Sequence, residues 1–377
     1  MRPPRPRPPD PRRTAHAALA ALLLTAAACA PPAEPAGIDL GSGPPRAGTV
    51  RPGALDGTAM TFVSYGGSYQ KGQEEAAVHP FAEESGARVV TDGPTDYAKI
   101  AAQVEADAVT WDVVDTDAIW GEAHCGDLLM PLDFTAIDTA GVPEGLVGEC
   151  TVPAMQYGMV LAYSTRAYPD DPPTTWADFF DTRAYPGKRG ISGIPNDPAP
   201  GPYEAALLAD GVAPGDLYPL DVPRAQDRLD TVRGDLVFWE TGAEQQQLLE
   251  SGEVDMAMVW SGRAYAAADN GAPYAVSWED WLPVMDSLGV VKGTRNPRSA
   301  MALINYYLGA DQQARLTELT SYSPIHTGAR PALDATAAEF MTTAPGRADR
   351  AAPVDRQWWS ANQQDLVQGW SSWLAGR

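Results

Sequence analysis

The sequence predicts an α/β protein in which helices cover a sheet, organised in about two domains. The chain has 377 residues, which is too long for one simple core. Short apolar runs typical of strands alternate with segments that carry helical periodicity and capping signals. This alternation indicates parallel strands joined by helical crossovers.

The first ordered strand is expected to begin near Ala59. The turn Tyr65–Tyr69 follows it, and Ser68 is a suitable N-cap for a helix that runs to about Glu84 and is ended by Gly86. Further strands are predicted at residues 88–91, 112–115, 190–194, 236–239, 254–260 and 285–291. Further helices are predicted at residues 97–108, 176–180, 204–209, 222–232, 243–251, 297–308, 311–320 and 357–374, and another is expected to begin at residue 261.

The N-terminus has the features of an export signal. Five arginines within the first 13 residues precede the apolar stretch 17–28, which is too short for a permanent membrane span. Small residues then lead to Cys29 and resemble a bacterial lipobox, although Ala26 stands where leucine is usual. We expect residues 1–28 to be removed and Cys29 to be lipidated; the alternative is ordinary cleavage just before it. Residues 29–58 are expected to form a semi-flexible tether, because 17 of residues 30–58 are Pro, Gly or Ala.

Charge and cysteine content restrict the partners and the compartment. Acidic residues number 49 against 27 basic ones, which gives a formal net charge of -22. Such a chain repels nucleic acid and anionic lipid surfaces, although solubility alone also explains the charge. Because export leads to an oxidising compartment, Cys125 and Cys150 are expected to form a disulfide, with two buried free thiols as the alternative.

The common catalytic and metal-binding motifs are absent from the sequence. It contains neither a phosphate loop nor a G-x-S-x-G elbow, and its four histidines have no metal-ligand spacing. A nucleophilic pair of His124 and Cys125 is disfavoured because adjacent side chains rarely face each other. An enzyme is therefore disfavoured, and we expect no cofactor, no metal and no catalytic residue. An enzyme on the predicted fold and a sensor lipoprotein are the rival classes.

Eight sequence runs carry a family resemblance, and they follow one another in the family's order. They are YGGSY (65–69), PFAEESG (80–86), WDVVD (111–115), TWADFF (175–180), LLADG (207–211), LYPLDV (217–222), LESGEVDMAMVW (249–260) and MDSL (285–288). The chain resembles the polyamine-type solute-binding proteins of ABC importers, which include spermidine/putrescine receptors. The resemblance extends from about residue 60 to the C-terminus.

The resemblance implies a type II periplasmic-binding-protein fold, in which two α/β lobes are joined by a two-segment hinge and the ligand lies between them. The crossing segments are expected near residues 161–165 and 285–290. The implied lobes are residues 59–162 plus 288–345 for lobe 1 and residues 163–287 for lobe 2. A helical tail, residues 346–377, is expected to pack on the lobes through Trp358, Trp359, Trp370 and Trp373.

Ligands of such folds meet the carboxyl ends of strands. Tyr65, Gly67 and Tyr69 form one predicted contact, in which glycine admits the ligand to the backbone and tyrosines offer rings and hydroxyls; the alternative is a plain strand-to-helix turn. A second predicted contact is Asp117, whose carboxylate would pair with an amine; the alternative is an N-cap role.

Two further places are expected to contact the ligand, one where a helix begins after Trp260 and one at the predicted hinge. Trp260 matches a position that stacks on the ligand in the family. Arg263 in the first turn of the next helix suits a carboxylate, with an exposed surface arginine as the alternative. Asp286 matches the family's ammonium-binding carboxylate, with a structural hinge hydrogen bond as its alternative. Two residues earlier, Val284 replaces the tryptophan of polyamine receptors.

Arg263 and Asp286 at opposite ends of a cleft suit a zwitterion with separated charges. The predicted ligand is therefore a γ-aminobutyrate-like ω-amino acid or a related zwitterion, and a di- or polyamine is the alternative. The expected partners are ABC permease subunits and the membrane, the latter through the lipid anchor. We expect an extracytoplasmic monomer that binds its solute by hinge closure and does not bind nucleic acid.

Overall fold

The structure is a computed structural model that describes residues 38–41, 43–143, 145–195 and 199–376. These residues belong to one compact unit. Its strands are β1 (Ala59–Val63), β2 (Arg88–Asp92), β3 (Val113–Asp117), β4 (Thr151–Ser164), β5 (Arg189–Ser192), β6 (Leu236–Trp239), β7 (Met256–Trp260) and β8 (Tyr274–Val290).

The helices alternate with these strands as predicted. They are α1 (Gly67–Gln73), α2 (His79–Ser85), α3 (Tyr97–Glu105), α4 (Ala118–Ala123), α5 (Trp176–Phe180), α6 (Pro202–Ala209), α7 (Val222–Asp230), α8 (Gly242–Ser251), α9 (Ser261–Asp269), α10 (Pro297–Tyr307), α11 (Ala310–Thr320), α12 (Ala335–Glu339) and α13 (Arg356–Leu374). Within the part of the chain that the structure describes, no helix is long and apolar enough to cross a bilayer.

The strands form one mixed sheet in the order β2-β1-β3-β8-β4-β7-β5-β6. One end of the sheet is the parallel group β2, β1 and β3, and the other end is the parallel group β7, β5 and β6. The long strands β4 and β8 lie between these groups, antiparallel to each other and to their neighbours β7 and β3. The parallel prediction is therefore correct for both ends of the sheet and wrong for its centre.

The two central strands are the largest departure from the predicted elements. All but two of the 14 residues of β4 are buried, so the strand shows no alternation of apolar and polar side chains. β8 begins at Tyr274 rather than at residue 285, because it continues beyond a bulge over residues 278–281. Asp280 has a φ of 48° within that bulge. We propose that β4 and β8 are the two crossing segments and that the parallel groups are the cores of the two lobes.

The first helix begins one residue earlier than its predicted cap. Gly66 occupies the N-cap position without a side-chain hydrogen bond, so the expected capping role of Ser68 is wrong. The Ser68 hydroxyl instead accepts a hydrogen bond from Arg263 across the cleft, at 3.0 Å. A π-helical turn, Glu74–Val78, joins α1 to α2, and Gly86 ends α2 with a φ of 79° as predicted.

The residues that precede β1 are anchored to the core at a few points, in contrast to the predicted flexible tether. Leu55 is completely buried, and its backbone N–H donates to the Ser85 carbonyl at 2.8 Å. Asn305 donates to the carbonyls of Arg46 and Thr49 at 2.9 and 3.1 Å. A Pro- and Gly-rich stretch can therefore be ordered when one apolar anchor and a polar partner hold its backbone. Residues 1–37, with the predicted signal peptide and Cys29, lie outside the described residues.

The C-terminal helix α13 packs through its tryptophans. The Trp359 and Trp373 indoles are buried and donate to Glu204 and Asp230, at 2.8 and 2.9 Å. Trp370 is also buried and donates to the Ile194 carbonyl at 3.0 Å. The helix thus contacts the region from α6 to α7 while its start pairs with α4 through Arg356 and Glu122.

A disulfide joins Cys125 to Cys150, with their Cα atoms 5.3 Å apart. It closes a loop of sequence separation 25 between the end of α4 and the start of β4. The pairing expected from export and the even cysteine count is therefore present.

Replacement of both cysteines by serine is expected to lower the free energy of unfolding by roughly 3 kcal/mol, because the unfolded chain regains the entropy of the open loop. Urea unfolding of both proteins under oxidising conditions measures this loss as a lower midpoint. Reductant should shift the midpoint of the wild type but not that of the double variant. Equal midpoints in the absence of reductant would show that the disulfide is not formed in solution.

Candidate functional site

A cavity lies where β1, β3 and β7 end and β4 and β8 pass beside them. It is narrow, with a volume of about 10 Å³. Five of the predicted contact residues line it, together with four residues that the sequence analysis did not identify. The lining residues are Tyr65, Tyr69, Asp117, Trp260 and Asp286, with Met155, Tyr157, Ala199 and Tyr322.

Asp117 is both a helix cap and a wall of this cavity. It is the last residue of β3, and its Oδ1 accepts hydrogen bonds from the Ile119 and Trp120 N–H groups at 2.8 and 3.2 Å. Its Oδ2 is buried and has no hydrogen-bond partner among the described residues. Burial raises the pKa of Asp117 from 3.8 to about 6, although the backbone hydrogen bonds oppose the shift. One oxygen therefore performs the capping role and leaves the other for a ligand.

Asp286 lies directly opposite Asp117 in the antiparallel pairing of β3 and β8. It is 4% exposed, and it lines the same cavity. Side chains of directly paired residues lie about 5 Å apart at Cβ, so two buried carboxyl groups are neighbours here. Like charges at this separation repel unless a cation lies between them, which makes this end of the cavity suited to an ammonium group.

A third carboxyl group, Asp115, lies behind the cavity wall. It is completely buried, and its Oδ2 accepts hydrogen bonds from the Tyr69 hydroxyl at 2.7 Å and from the Gln73 amide at 2.6 Å. Burial raises the pKa of Asp115 to about 7. Asp115 thereby fixes the position of Tyr69, which lines the cavity, and adds to the negative potential near Asp117.

The Tyr65 hydroxyl is also held in place. It lies 2.7 Å from the Tyr97 hydroxyl, and both oxygens accept from the Asp117 backbone N–H, at 2.8 and 3.1 Å. The Tyr65 ring meets Trp260 edge to face, with centroids 6.0 Å apart. Trp260 makes two more such contacts, with Tyr157 at 6.0 Å and with Trp239 at 5.4 Å. These rings form an aromatic wall suited to the methylene chain of a small solute.

Arg263 does not line this cavity, but its positive charge acts on Tyr322, which does. Arg263 is completely buried in the first turn of α9. Its Nη1 donates to Ser68 Oγ and its Nη2 to the Gly66 carbonyl, each at 3.0 Å, while Nε has no partner among the described residues. None of the described carboxylates lies within 4.0 Å of its nitrogens. A buried guanidinium without a counter-charge is costly, so this position favours an anionic ligand group.

Two glycines make room for this guanidinium. A Cβ atom on Gly67 would lie 2.6 Å from Arg263 Nη1, and one on Gly242 would lie 2.5 Å from Nε. Gly67 and Gly242 are the first residues of α1 and α8, so three helix N-termini, including that of α9, meet near the guanidinium. Their unpaired N–H groups add positive potential. The structure gives Gly67 a contact with Arg263; a contact with the ligand itself stays a prediction.

The site also contains residues for which the sequence carried no signal. Tyr157 belongs to the unpredicted strand β4, and Tyr322 follows Ser321, whose φ is 57°. Tyr322 meets Tyr69 edge to face at 5.1 Å, and a Cβ on Gly262 would lie 2.2 Å from its ring. Burial raises the pKa of Tyr322; Arg263 lowers it in part, and nearby Asp286 raises it further. Tyr322 therefore lies close enough to both Arg263 and Asp286 to feel the charge of each.

Comparison with known proteins identifies the family. The model of the family described as bacterial extracellular solute-binding protein matches residues 76–345. The chain belongs to this family. The resemblance on the eight sequence runs is thereby confirmed, and so is the expectation of a protein that binds a solute outside the cytoplasm.

One curated relative matches most of the chain, and another matches just under half of it. The γ-aminobutyric acid-binding protein of Pseudomonas aeruginosa is 34% identical over 325 residues, which are 84% of this chain and 91% of the relative. The spermidine/putrescine-binding periplasmic protein of Escherichia coli is 28% identical over 174 residues, which are 46% of this chain and 48% of the relative.

Solved structures of the type II fold agree with the architecture. The Atu4243 GABA receptor is 36% identical, with a TM-score of 0.76 over 85% of this chain and 98% of the receptor. The binding protein AgtB of Agrobacterium tumefaciens, in complex with agropinic acid, is 32% identical, with a TM-score of 0.77 over 85% of this chain and 99% of AgtB. The predicted fold class is therefore confirmed.

Proposed function

We propose that this solute-binding protein serves an ABC importer and captures a γ-aminobutyrate-like ω-amino acid. One observation carries the proposal: the buried Arg263 lacks a carboxylate partner among the described residues, whereas Asp117 and Asp286 lie paired in the cavity. A solute with a carboxylate at one end and an ammonium at the other satisfies both groups. The γ-aminobutyrate-binding relative and the GABA receptor support this choice.

The same charges disfavour a polyamine. Spermidine and putrescine carry an ammonium at each end, and one of these would lie near the buried guanidinium of Arg263. The polyamine-binding relatives that are similar to this chain keep polyamines as the second candidate class. A diamine requires Arg263 to point away from the ligand, whereas an ω-amino acid requires it to face the ligand.

Arg263 also suggests how binding is coupled to closure. A guanidinium has five N–H donors, and the hydrogen bonds to Ser68 and Gly66 use two of them. In the proposed lobe division these acceptors belong to lobe 1 and Arg263 to lobe 2, so the bonds connect the lobes. A ligand carboxylate would accept from the remaining donors and favour the closed state by its differential affinity.

The protein is proposed to act at the membrane surface without catalysing a reaction. We infer that the chain binds its solute without changing a covalent bond and passes it to permease subunits as a monomer. Lipidation of Cys29 would hold it at the outer face of the membrane. Leu55 and Asn305 anchor residues 43–58 to the core, so the flexible part of the tether would be shorter than the sequence suggested.

A titration of residues 30–377 tests the proposed ligand class. Isothermal titration calorimetry with γ-aminobutyrate, 5-aminovalerate, putrescine, spermidine and glycine betaine compares the candidates under one condition. Saturable binding of the ω-amino acids with much weaker binding of the amines is the expected result. Binding of putrescine or spermidine alone would overturn the proposal in favour of the polyamine class.

The affinity for an ω-amino acid is expected to fall as the pH drops below about 6. Burial holds the pKa of Asp117 near 6 in the ligand-free protein, and an ammonium ligand binds the ionised carboxylate, so ligand and proton compete. Titrations between pH 5 and 8 measure the change. In Asp117→Asn, which keeps a good N-cap, the pH dependence should be weaker. Equal affinities of the wild type at pH 5 and 7.5 would contradict the prediction.

A further inference from the structure

A second cavity adjoins the proposed ligand site. It is small, with a volume of about 20 Å³, and shares two lining residues, Ala199 and Trp260, with the site. Trp260 therefore forms part of the partition between the two spaces. The other lining residues are Met159, Ser192, Ile194, Pro202, Tyr203, Trp239 and Trp370.

The walls of this cavity are apolar and rigidly held. Trp239 and Trp370 are each 1% exposed, and their indole N–H groups donate to the carbonyls of Met258 and Ile194 at 3.2 and 3.0 Å. The Ser192 hydroxyl accepts from the Ile194 N–H at 3.3 Å. With these polar atoms already bonded, a water molecule in the cavity would find few partners, so the space suits apolar groups.

The partition is held differently from the walls. The Trp260 indole Nε1 is buried and has no hydrogen-bond partner among the described residues, unlike those of Trp239 and Trp370. The Trp260 ring is buried and meets Tyr65, Tyr157 and Trp239 edge to face. Because no hydrogen bond fixes the indole nitrogen, a shift of the ring past these neighbours would join the two cavities.

We propose that the second cavity is a subsite for a small apolar substituent on the solute, so that the physiological ligands are alkyl-branched ω-amino acids. The proposal rests on the function proposed above and narrows its ligand class. The charged ends of the ligand occupy the Arg263 and Asp286 positions, and the branch passes Trp260 into the apolar space. Each methylene buried there tightens binding about fourfold.

A ligand series tests the subsite. γ-Aminobutyrate is compared by calorimetry with its methyl derivatives, substituted at carbon 2, 3 or 4. At least one substitution position should bind about fourfold or more tightly than the parent compound. If γ-aminobutyrate binds and every derivative binds more weakly, the subsite is wrong while the proposed function stands. If no ω-amino acid binds, both proposals fall.

Filling the cavity provides the matched variants. Ser192→Leu adds apolar atoms to the space and is expected to remove the advantage of the branched ligand. Ser192→Ala removes the hydroxyl without filling the space and should retain that advantage. Ile194→Phe fills the cavity from a half-buried position. It replaces Ser192→Leu in the test if Ser192→Leu lowers the melting temperature. A branched-ligand advantage that persists in both filled variants would overturn the subsite.

Discussion

Replacement of Arg263 by serine is expected to weaken γ-aminobutyrate binding by roughly 30-fold to several thousandfold. The ligand carboxylate would lose a charge-assisted partner in a buried position, where no water replaces it. Calorimetric titration of the variant measures the loss. In the same variant putrescine should bind more tightly than in the wild type, because the repulsion of one ammonium is removed.

Two control variants separate this effect from a general loss of structure. Arg183→Ser removes an exposed arginine and should bind like the wild type. Arg263→Lys keeps the charge but not the planar fork, so binding should be intermediate if the guanidinium contacts the carboxylate in a bidentate manner. If Arg263→Ser binds γ-aminobutyrate as tightly as the wild type, Arg263 serves only to hold Ser68 and Gly66.

Replacement of Asp286 by asparagine is expected to weaken binding of every amine-bearing ligand by a similar factor, roughly 30-fold or more. Asparagine has nearly the same shape, so the change removes charge without creating a cavity. An ammonium buried between Asp117 and an amide would keep one carboxylate partner instead of two. Titration with both γ-aminobutyrate and putrescine distinguishes this loss from the Arg263 effect, which has opposite signs for the two ligands.

Asp280→Asn provides the matched control on the same strand. Asp280 has a φ of 48°, a conformation that asparagine tolerates, and it does not line the cavity. Its replacement should leave both ligands bound as in the wild type. Undiminished binding of γ-aminobutyrate to Asp286→Asn would assign Asp286 the structural hinge role instead.

The sequence analysis named charged residues of the candidate site but not the residues that surround them. Arg263 and Asp117 stand at strand-to-helix junctions, where local sequence signals are strong, and the sequence analysis named both as candidate contacts. The residues that contact Arg263 were not predicted, because Gly242 and Ser68 lie far from Arg263 along the chain. No local pattern indicates that a glycine 21 residues earlier must leave room for a guanidinium, since that distance is set by how α8 and α9 pack.

Burial on both faces explains the principal misses in the fold. β4 is apolar on both sides, so the alternation that marks half-buried strands is absent, and Tyr157 on it was missed with the strand.

Residues 43–58 were expected to be flexible because Pro, Gly and Ala dominate them. Leu55 in the core and the carbonyls bonded to Asn305 order them, and neither partner is local.

The sequence by itself determined most of the strands and helices at the two ends of the sheet, the disulfide and the residues at the ends of β1, β3 and β7. These depend on local propensity, capping and composition. Only the tertiary structure decided that Asp117 and Asp286 face each other, that the Arg263 guanidinium is buried without a counter-charge among the described residues, and that Trp260 separates two cavities. Each of these is a contact between segments far apart in the chain, and its energy comes from burial that a linear pattern does not contain.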